Sequence, residues 1–342
     1  PETTIAAGRT VSDPVTLQLR ELMGEGEEQT GALPLDETFL VPVRISGASM
    51  DVLRGSDVAY YVVKRSSAIT VAAQLGEGNW INFPTLDKYG ANSSAWNGLT
   101  AMTYEALIYI DEFATTDAEG LPVNISSVMG VEQYLLLRIG DTNFERQQLQ
   151  FDGSGSGSQF GKFPGKDATK NLEAGRWYHV ACTYDQAART VRIYVDGRIQ
   201  SEQTGVGIAT QNEDNRINLA MRALYDYYLN NPTEDNEKKY GGFVDAYQFF
   251  IGKSYDEKRP LNGKIAEVRV WSVARTPEQI WENMYNVENP ADDPTLLGYW
   301  KFNEGAGNTV RDYSMYGNDG VAESDITWPA GIEIPKINET NE

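Results

Sequence analysis

Apolar and polar side chains alternate with a period of two along most of this chain. The pattern is clear in FLVPVRI (39–45), AYYVVKR (59–65), YEALIYI (104–110), EQYLLLRI (132–139), WYHVACTY (177–184), TVRIYV (190–195) and KIAEVRVW (264–271). Such alternation puts successive side chains on opposite faces and predicts half-buried strands. In VDGRI, Asp196-Gly197 stands between two apolar stretches, and both centres of a type I′ hairpin need the positive φ that this pair tolerates. FDGSGSGSQF (151–160) reads as a Gly/Ser loop, without the Lys-Ser/Thr ending of a phosphate-binding loop. One segment has the helical period instead. TPEQIWENMYNVE offers Thr276 as N-cap, Pro277 at the first helical position, and Ile280, Met284 and Val287 on one face. One short helix among many strands predicts an all-β protein: two antiparallel sheets packed as a sandwich or jelly roll, plus a small N-terminal β block.

That block covers residues 1–65 and the larger domain 66–342, with 66–80 as the crossing. Residues 21–37 read as a polar loop, leaving the first block about four strands. An immunoglobulin-like sandwich usually has about seven, so the block is expected to be a partial domain.

Charge and composition narrow the partners. A net charge of -20 excludes the basic patches that nucleic acid or an anionic membrane surface requires, and is neutral toward sugars. No apolar run approaches the roughly 18 residues of a membrane span. The only cysteine and the only histidine, Cys182 and His179, lie three apart in one predicted strand. Odd spacing puts them on opposite faces, so they form no nucleophilic dyad, and a lone histidine builds no zinc site. Cys182 is expected in the core, and His179 as a hydrogen-bonded structural imidazole.

Three ordered motifs carry a resemblance. LEAGRWYHVACTYDQAARTVRIYVDGRI, FFIGKSYDEKRPLNGKIAEVRVWSVARTPEQIWENM and LGYWKFNEGAGNTVRDYSMYGNDGV resemble the laminin-G-like group of concanavalin A-like jelly-roll domains. The likeness covers about residues 66–342. FLVPVRISGAS and VAYYVVKR, more loosely, are similar to the tail of a module in surface lipoproteins of Bacteroidetes glycan-utilisation systems. This implies an exported outer-membrane protein displayed at the cell surface, on a lipid anchor upstream of this chain. The implied partner is an oligosaccharide or a glycoprotein glycan. Relatives often hold calcium on a rim, and Asp312, Asn318 and Asp319 in RDYSMYGNDG supply oxygen ligands at loop spacing.

The same fold hosts glucanases, whose carboxyl pair must stand about 5 to 9.5 Å apart. Their Glu-x-Asp-x-(x)-Glu arrangement is missing here. Glu105 and Asp111 share a face but lie roughly 20 Å apart along the strand. Glu267 is followed by Arg269, read as a pair on the outer sheet face that keeps the carboxylate ionised. The expected function is therefore non-catalytic glycan binding; the alternatives are a glycoside hydrolase or lyase, or a protein-binding adhesion module. The expected ligand groups lie mainly in an aromatic insertion, 221–250: Tyr225, Tyr227, Tyr228, Asn230 and Tyr240, with Trp96 on the same rim. Flat rings suit sugar faces, and amides suit hydroxyls.

Overall fold

The computed structural model describes residues 3–7, 9, 12, 15, 38–52, 57–64, 69, 71–86, 93–113, 125–132, 134–141, 144–153, 160–207, 216–220, 233, 248–254 and 259–329. The chain divides into two compact units, Pro1–Ser67 and Ala68–Glu342. The described part of the first unit holds one antiparallel hairpin, β1 (Thr38–Arg44) with β2 (Val58–Lys64), in the register Leu40↔Val62 and Pro42↔Tyr60. Leu40 and Tyr60 are exposed on it.

The second unit is a sandwich of two antiparallel sheets. The first has seven strands among the described residues: β3 (Ala73–Leu75), β5 (Ala101–Ile110), β10 (Trp177–Asp185), β11 (Thr190–Val195), β12 (Arg198–Thr204), β14 (Gly263–Trp271) and β15 (Leu296–Trp300). Its order is β12-β11-β10-β5-β14-β15, with β3 against β14. The second has eight: β4 (Ile81–Asn82), β6 (Ser126–Val131), β7 (Leu135–Ile139), β8 (Leu149–Asp152), β9 (Lys162–Phe163), β13 (Phe250–Ile251), β16 (Thr309–Val310) and β17 (Gly320–Ala322). These run β16-β17-β4-β13-β6-β7-β8-β9.

The core lies between the sheets, where alternation along each strand delivers one apolar face. In β10, Tyr178, Val180, Cys182 and Tyr184 enter it, beside Tyr104, Ile108 and Val270 of neighbouring strands. Burial pushes the Cys182 thiol well above its ordinary pKa, so it stays a protonated, inert filler. An aromatic cluster fills one end: Phe83 and Trp300 have ring centroids 4.7 Å apart, and Trp96 stands 5.3 Å from Phe249. The β11–β12 turn has φ of 49° at Asp196 and 72° at Gly197, the two positive values a type I′ hairpin requires.

Two local features differ from the sequence pattern. The helix, α1 (Pro277–Glu282), starts as expected at Thr276, which forms a reciprocal capping box with Gln279. It stops one turn in. Arg269 Nη1 donates to the Asn283 carbonyl at 2.7 Å, and both terminal nitrogens reach Met284 O at 3.4 Å. Side-chain donors thus take the carbonyls that further helical turns would use. Ile280, Met284 and Val287 are still buried. The second feature is a bulge in β14: Ala266 pairs with Leu107 and Arg269 with Glu105, three steps against two. Glu267 adopts φ of 53° there. The extra residue lets Ala266 and Arg269 occupy the same face despite their odd spacing.

Candidate functional site

The outer face of the seven-stranded sheet carries a buried ionic network. Glu105 on β5, His179 on β10 and Arg269 on β14 meet by register, since Ala181 and Arg269 both pair with Glu105. His179 Nε2 stands 3.3 Å from Glu105 Oε2, Arg269 Nη1 3.6 Å from the same oxygen, and Arg275 Nε 3.5 Å from Oε1. Arg269 Nη2 donates to Glu267 Oε2 at 2.6 Å, and the Tyr299 hydroxyl donates to that oxygen too. The Glu267–Arg269 pair therefore exists, but it is buried rather than on an open surface; Arg269 is fully enclosed. Its guanidinium holds the 283–284 segment over the sheet.

Burial is the largest influence on the Glu105 carboxyl and pushes its pKa up. The His179 hydrogen bond and the charges of Arg269, His179 and Arg275 outweigh it, so the net direction is down. A carboxyl whose folded pKa is lowered contributes stability above its unfolded value and loses it as pH falls through the folded value. Glu105→Gln is therefore expected to lower unfolding free energy at neutral pH and to flatten its loss below about pH 4.5, the group's ordinary value. Urea titrations across pH measure this; parallel curves for variant and wild type would refute it. Buried Glu132 and Asp312 act with opposite sign, because burial raises both carboxyls and their contribution weakens as pH rises through the folded values.

The groups expected to bind ligand or metal fare differently. Tyr225, Tyr227, Tyr228, Asn230 and Tyr240 lie outside the described residues. Trp96 is a correction. It is 0% exposed, with its ring against Phe249 and 6.2 Å from Trp300. Core aromatics already occupy its faces, so no sugar can stack there. Asp312, Asn318 and Asp319 do come together, but as a lock on the turn. Asp312 Oδ1 accepts from Tyr299 N and Ser314 N; Oδ2 accepts from Ser314 Oγ and Asn318 N, all within 2.7–2.9 Å. Two donors sit on each oxygen. Asp319 Oδ1 accepts from Asp312 N at 2.9 Å, and Asn318 Oδ1 accepts from Thr85 Oγ1 at 2.8 Å. Among the described residues no group of three or more His, Cys, Asp or Glu side chains is placed to hold a metal ion.

The outer face of the eight-stranded sheet carries groups that sequence reasoning passed over. Register puts Ser127, Arg138 and Gln150 in one row across β6, β7 and β8, and Gly130, Leu136, Asp152 and Lys162 in the next. Arg138 organises the face. Its Nε and Nη2 donate to Gln150 Oε1 at 3.0 and 2.7 Å, Nη2 also to Asp141 Oδ2 at 2.9 Å, and Nη1 lies 2.9 Å from Asp152 Oδ2. Lys162 Nζ donates to Asp141 as well. Glu132, at the end of β6, stands 3.7 Å from Arg259 Nη1. Burial raises its carboxyl pKa, against the lowering pull of Arg259 and Arg138, while Asp152 adds to the rise. Gly130 has φ of 124°, and a Cβ there would lie 2.3 Å from the Leu135 carbonyl oxygen. Glycine is thus required, and β6 offers no side chain between Ser127 and Glu132 on this face.

Among the described residues, Ser127 Oγ and Gln150 Nε2 are buried here without a hydrogen-bond partner, and the buried Glu132 carboxyl has the Ser254 hydroxyl beside it. An unmet buried polar group costs about 1–3 kcal/mol; such atoms also occur in the Glu105 network, at Glu105, His179 and Arg275. The groups around Arg138 offer a hydroxyl, a carboxyl and an amide donor, the set that complements sugar hydroxyls.

A sequence profile of the laminin G type, described as the concanavalin A-like lectin/glucanases superfamily, matches residues 75–230 and 225–281, more than half the chain. The chain belongs to that superfamily. Among solved structures, this superfamily member is similar to a candidate carbohydrate-binding protein of Bacteroides ovatus, at 26% identity and a TM-score of 0.55. That alignment covers 88% of this chain and 72% of the other. Weaker likenesses include a heptameric pentraxin of Limulus polyphemus, at 12% identity and a TM-score of 0.35, covering 62% and 80%. Another is domain 4 of an extracellular arabinanase of Geobacillus stearothermophilus bound to arabinotriose, at 14% and 0.35, covering 64% and 87%. No curated protein sequence matches. Among the described residues no helix is long and apolar enough to cross a membrane.

Proposed function

We propose that this superfamily member binds carbohydrate without breaking it, as a lipid-anchored surface protein of a bacterial polysaccharide-utilisation system. The observation that carries the reading is the set of buried polar groups around Arg138, with Ser127 Oγ and Gln150 Nε2 unpartnered and the Glu132 carboxyl beside them. Superfamily membership and the likeness to the Bacteroides ovatus protein support carbohydrate as the ligand class.

A hydrolase would need the same face, and its carboxyls are poorly placed for that work. Glu132 has the raised pKa of a proton donor, but Asp152 is engaged by Arg138 at 2.9 Å. Incubation with plant and host polysaccharides is expected to release no reducing sugar.

Calorimetry against a panel of purified polysaccharides tests the binding itself. Wild type is expected to bind at least one, and Ser127→Ala to bind it about fivefold more weakly, the loss of one net hydrogen bond of about 1 kcal/mol. A panel with no binder would reject the proposal.

A further inference from the structure

Resting on that reading, we infer that the Arg138 face selects neutral sugars and excludes acidic ones. Arg138 and Lys162 face Asp141 and Asp152, two cations against two anions, joined by direct contacts. Arg259 faces Glu132. Lys253 is engaged too, its ammonium 3.8 Å from the Trp80 ring centroid and 4.9 Å from that of Phe250, with a further partner besides. Each of these cations is thus already matched. A uronate, sialate or sulfate brought here would be a buried charge for which none of these cations is reserved, in a chain of net charge -20.

The polar groups beside these charges have the opposite character. Ser127 Oγ both donates and accepts, Gln150 Nε2 only donates, and Glu132 Oε2 accepts from a hydroxyl when ionised. Sugar hydroxyls supply both halves of each such bond. An acidic substituent supplies acceptors only; Ser127 and Gln150 can donate to it, but the Glu132 oxygen meets it with lone pairs and, when ionised, with like charge. The guanidinium fork of Arg138 is the group that ordinarily grips a carboxylate or sulfate in two-pronged fashion. Here it is spent on Gln150, Asp141 and Asp152. Among the described residues of this face, the cations are matched before any ligand arrives.

The test pairs neutral polysaccharides (laminarin, mannan, galactan) with acidic ones (polygalacturonate, alginate, heparin) in calorimetry at low and high salt. Wild type is expected to bind a neutral member at least tenfold more tightly than any acidic one, with affinity that salt leaves unchanged because no net charge is neutralised. Glu132→Gln, which removes the anion beside Arg259, is expected to weaken neutral binding and to narrow that tenfold gap. Thermal melting confirms that the variant is folded; Ser127→Ala provides a second variant that alters no charge and is expected to keep the neutral preference while binding more weakly. Preference for an acidic polysaccharide, or affinity that collapses with salt, overturns the inference while leaving carbohydrate binding intact. Neutral binding that neither variant alters overturns it by moving the site elsewhere. Failure of all six to bind rejects the underlying reading and the inference with it.

Discussion

Replacing Arg269 with methionine is expected to destabilise the jelly roll by about 3–5 kcal/mol at neutral pH, the cost of breaking a buried ionic cluster from one side. Arg269 is fully enclosed and touches Glu105, Glu267 and the 283–284 carbonyls. The substitution keeps the apolar bulk but leaves two buried carboxylates short of a counter-charge and frees the segment after α1. A companion variant separates these effects. Adding Glu105→Gln and Glu267→Gln to Arg269→Met removes the stranded anions, so much of the loss should return; what remains reports the carbonyl contacts. The pH dependence has a definite sign. Without Arg269, one of the influences that lowers the Glu105 carboxyl is gone, its folded pKa rises, and the deficit relative to wild type shrinks as the solution is acidified. Urea denaturation of the three proteins at neutral and acidic pH checks all of this. A single variant within 1 kcal/mol of wild type would show that the network contributes little.

The strands and their inward faces were legible because period two is a local property. Tyr178, Val180, Cys182 and Tyr184 form the buried edge of β10, and His179 faces away, as the spacing requires. The Asp196-Gly197 turn was legible for the same reason: positive φ at two adjacent positions is a demand that few residue pairs meet. What the pattern could not show is set by distant partners. The early stop of α1 depends on a guanidinium fourteen residues upstream in sequence, and the bulge at Glu267 is invisible to a count of alternation. Trp96, expected on the rim, lies in the polar stretch NSSAWNGL. A single turn, Ser93–Trp96, folds it inward onto Phe249 instead. The Arg138 face did leave a trace. An arginine inside LLLRI, a strand otherwise apolar, must find acids on the same side, and LQFD presents Gln150 and Asp152 two apart on one face. Composition of one strand posed that question; only the pairing of β7 with β8 answered it.

Arg138→Met should therefore strike binding and stability together, and this is the second large effect expected. The side chain is buried, and its loss removes the 2.9 Å ion pairs with Asp152 and Asp141. A loss of about 3–5 kcal/mol follows from stranding buried charge. Gln150 then turns free, because its Oε1 is held only by Nε and Nη2 of Arg138 among the contacts seen on this face. An amide released from one anchor samples several rotamers, so its Nε2 no longer waits at a fixed point for a sugar hydroxyl. Arg138→Lys distinguishes charge from geometry. A lysine preserves the positive charge beside the acids, but a single ammonium cannot span Gln150, Asp141 and Asp152 as the fork does. It should recover more of the folding free energy than of the carbohydrate affinity. Calorimetry and urea denaturation on the same preparations measure the two losses side by side. If lysine restores both in equal proportion, Arg138 acts on this face as a charge alone, and the ordered placement of Gln150 is not what a ligand recognises.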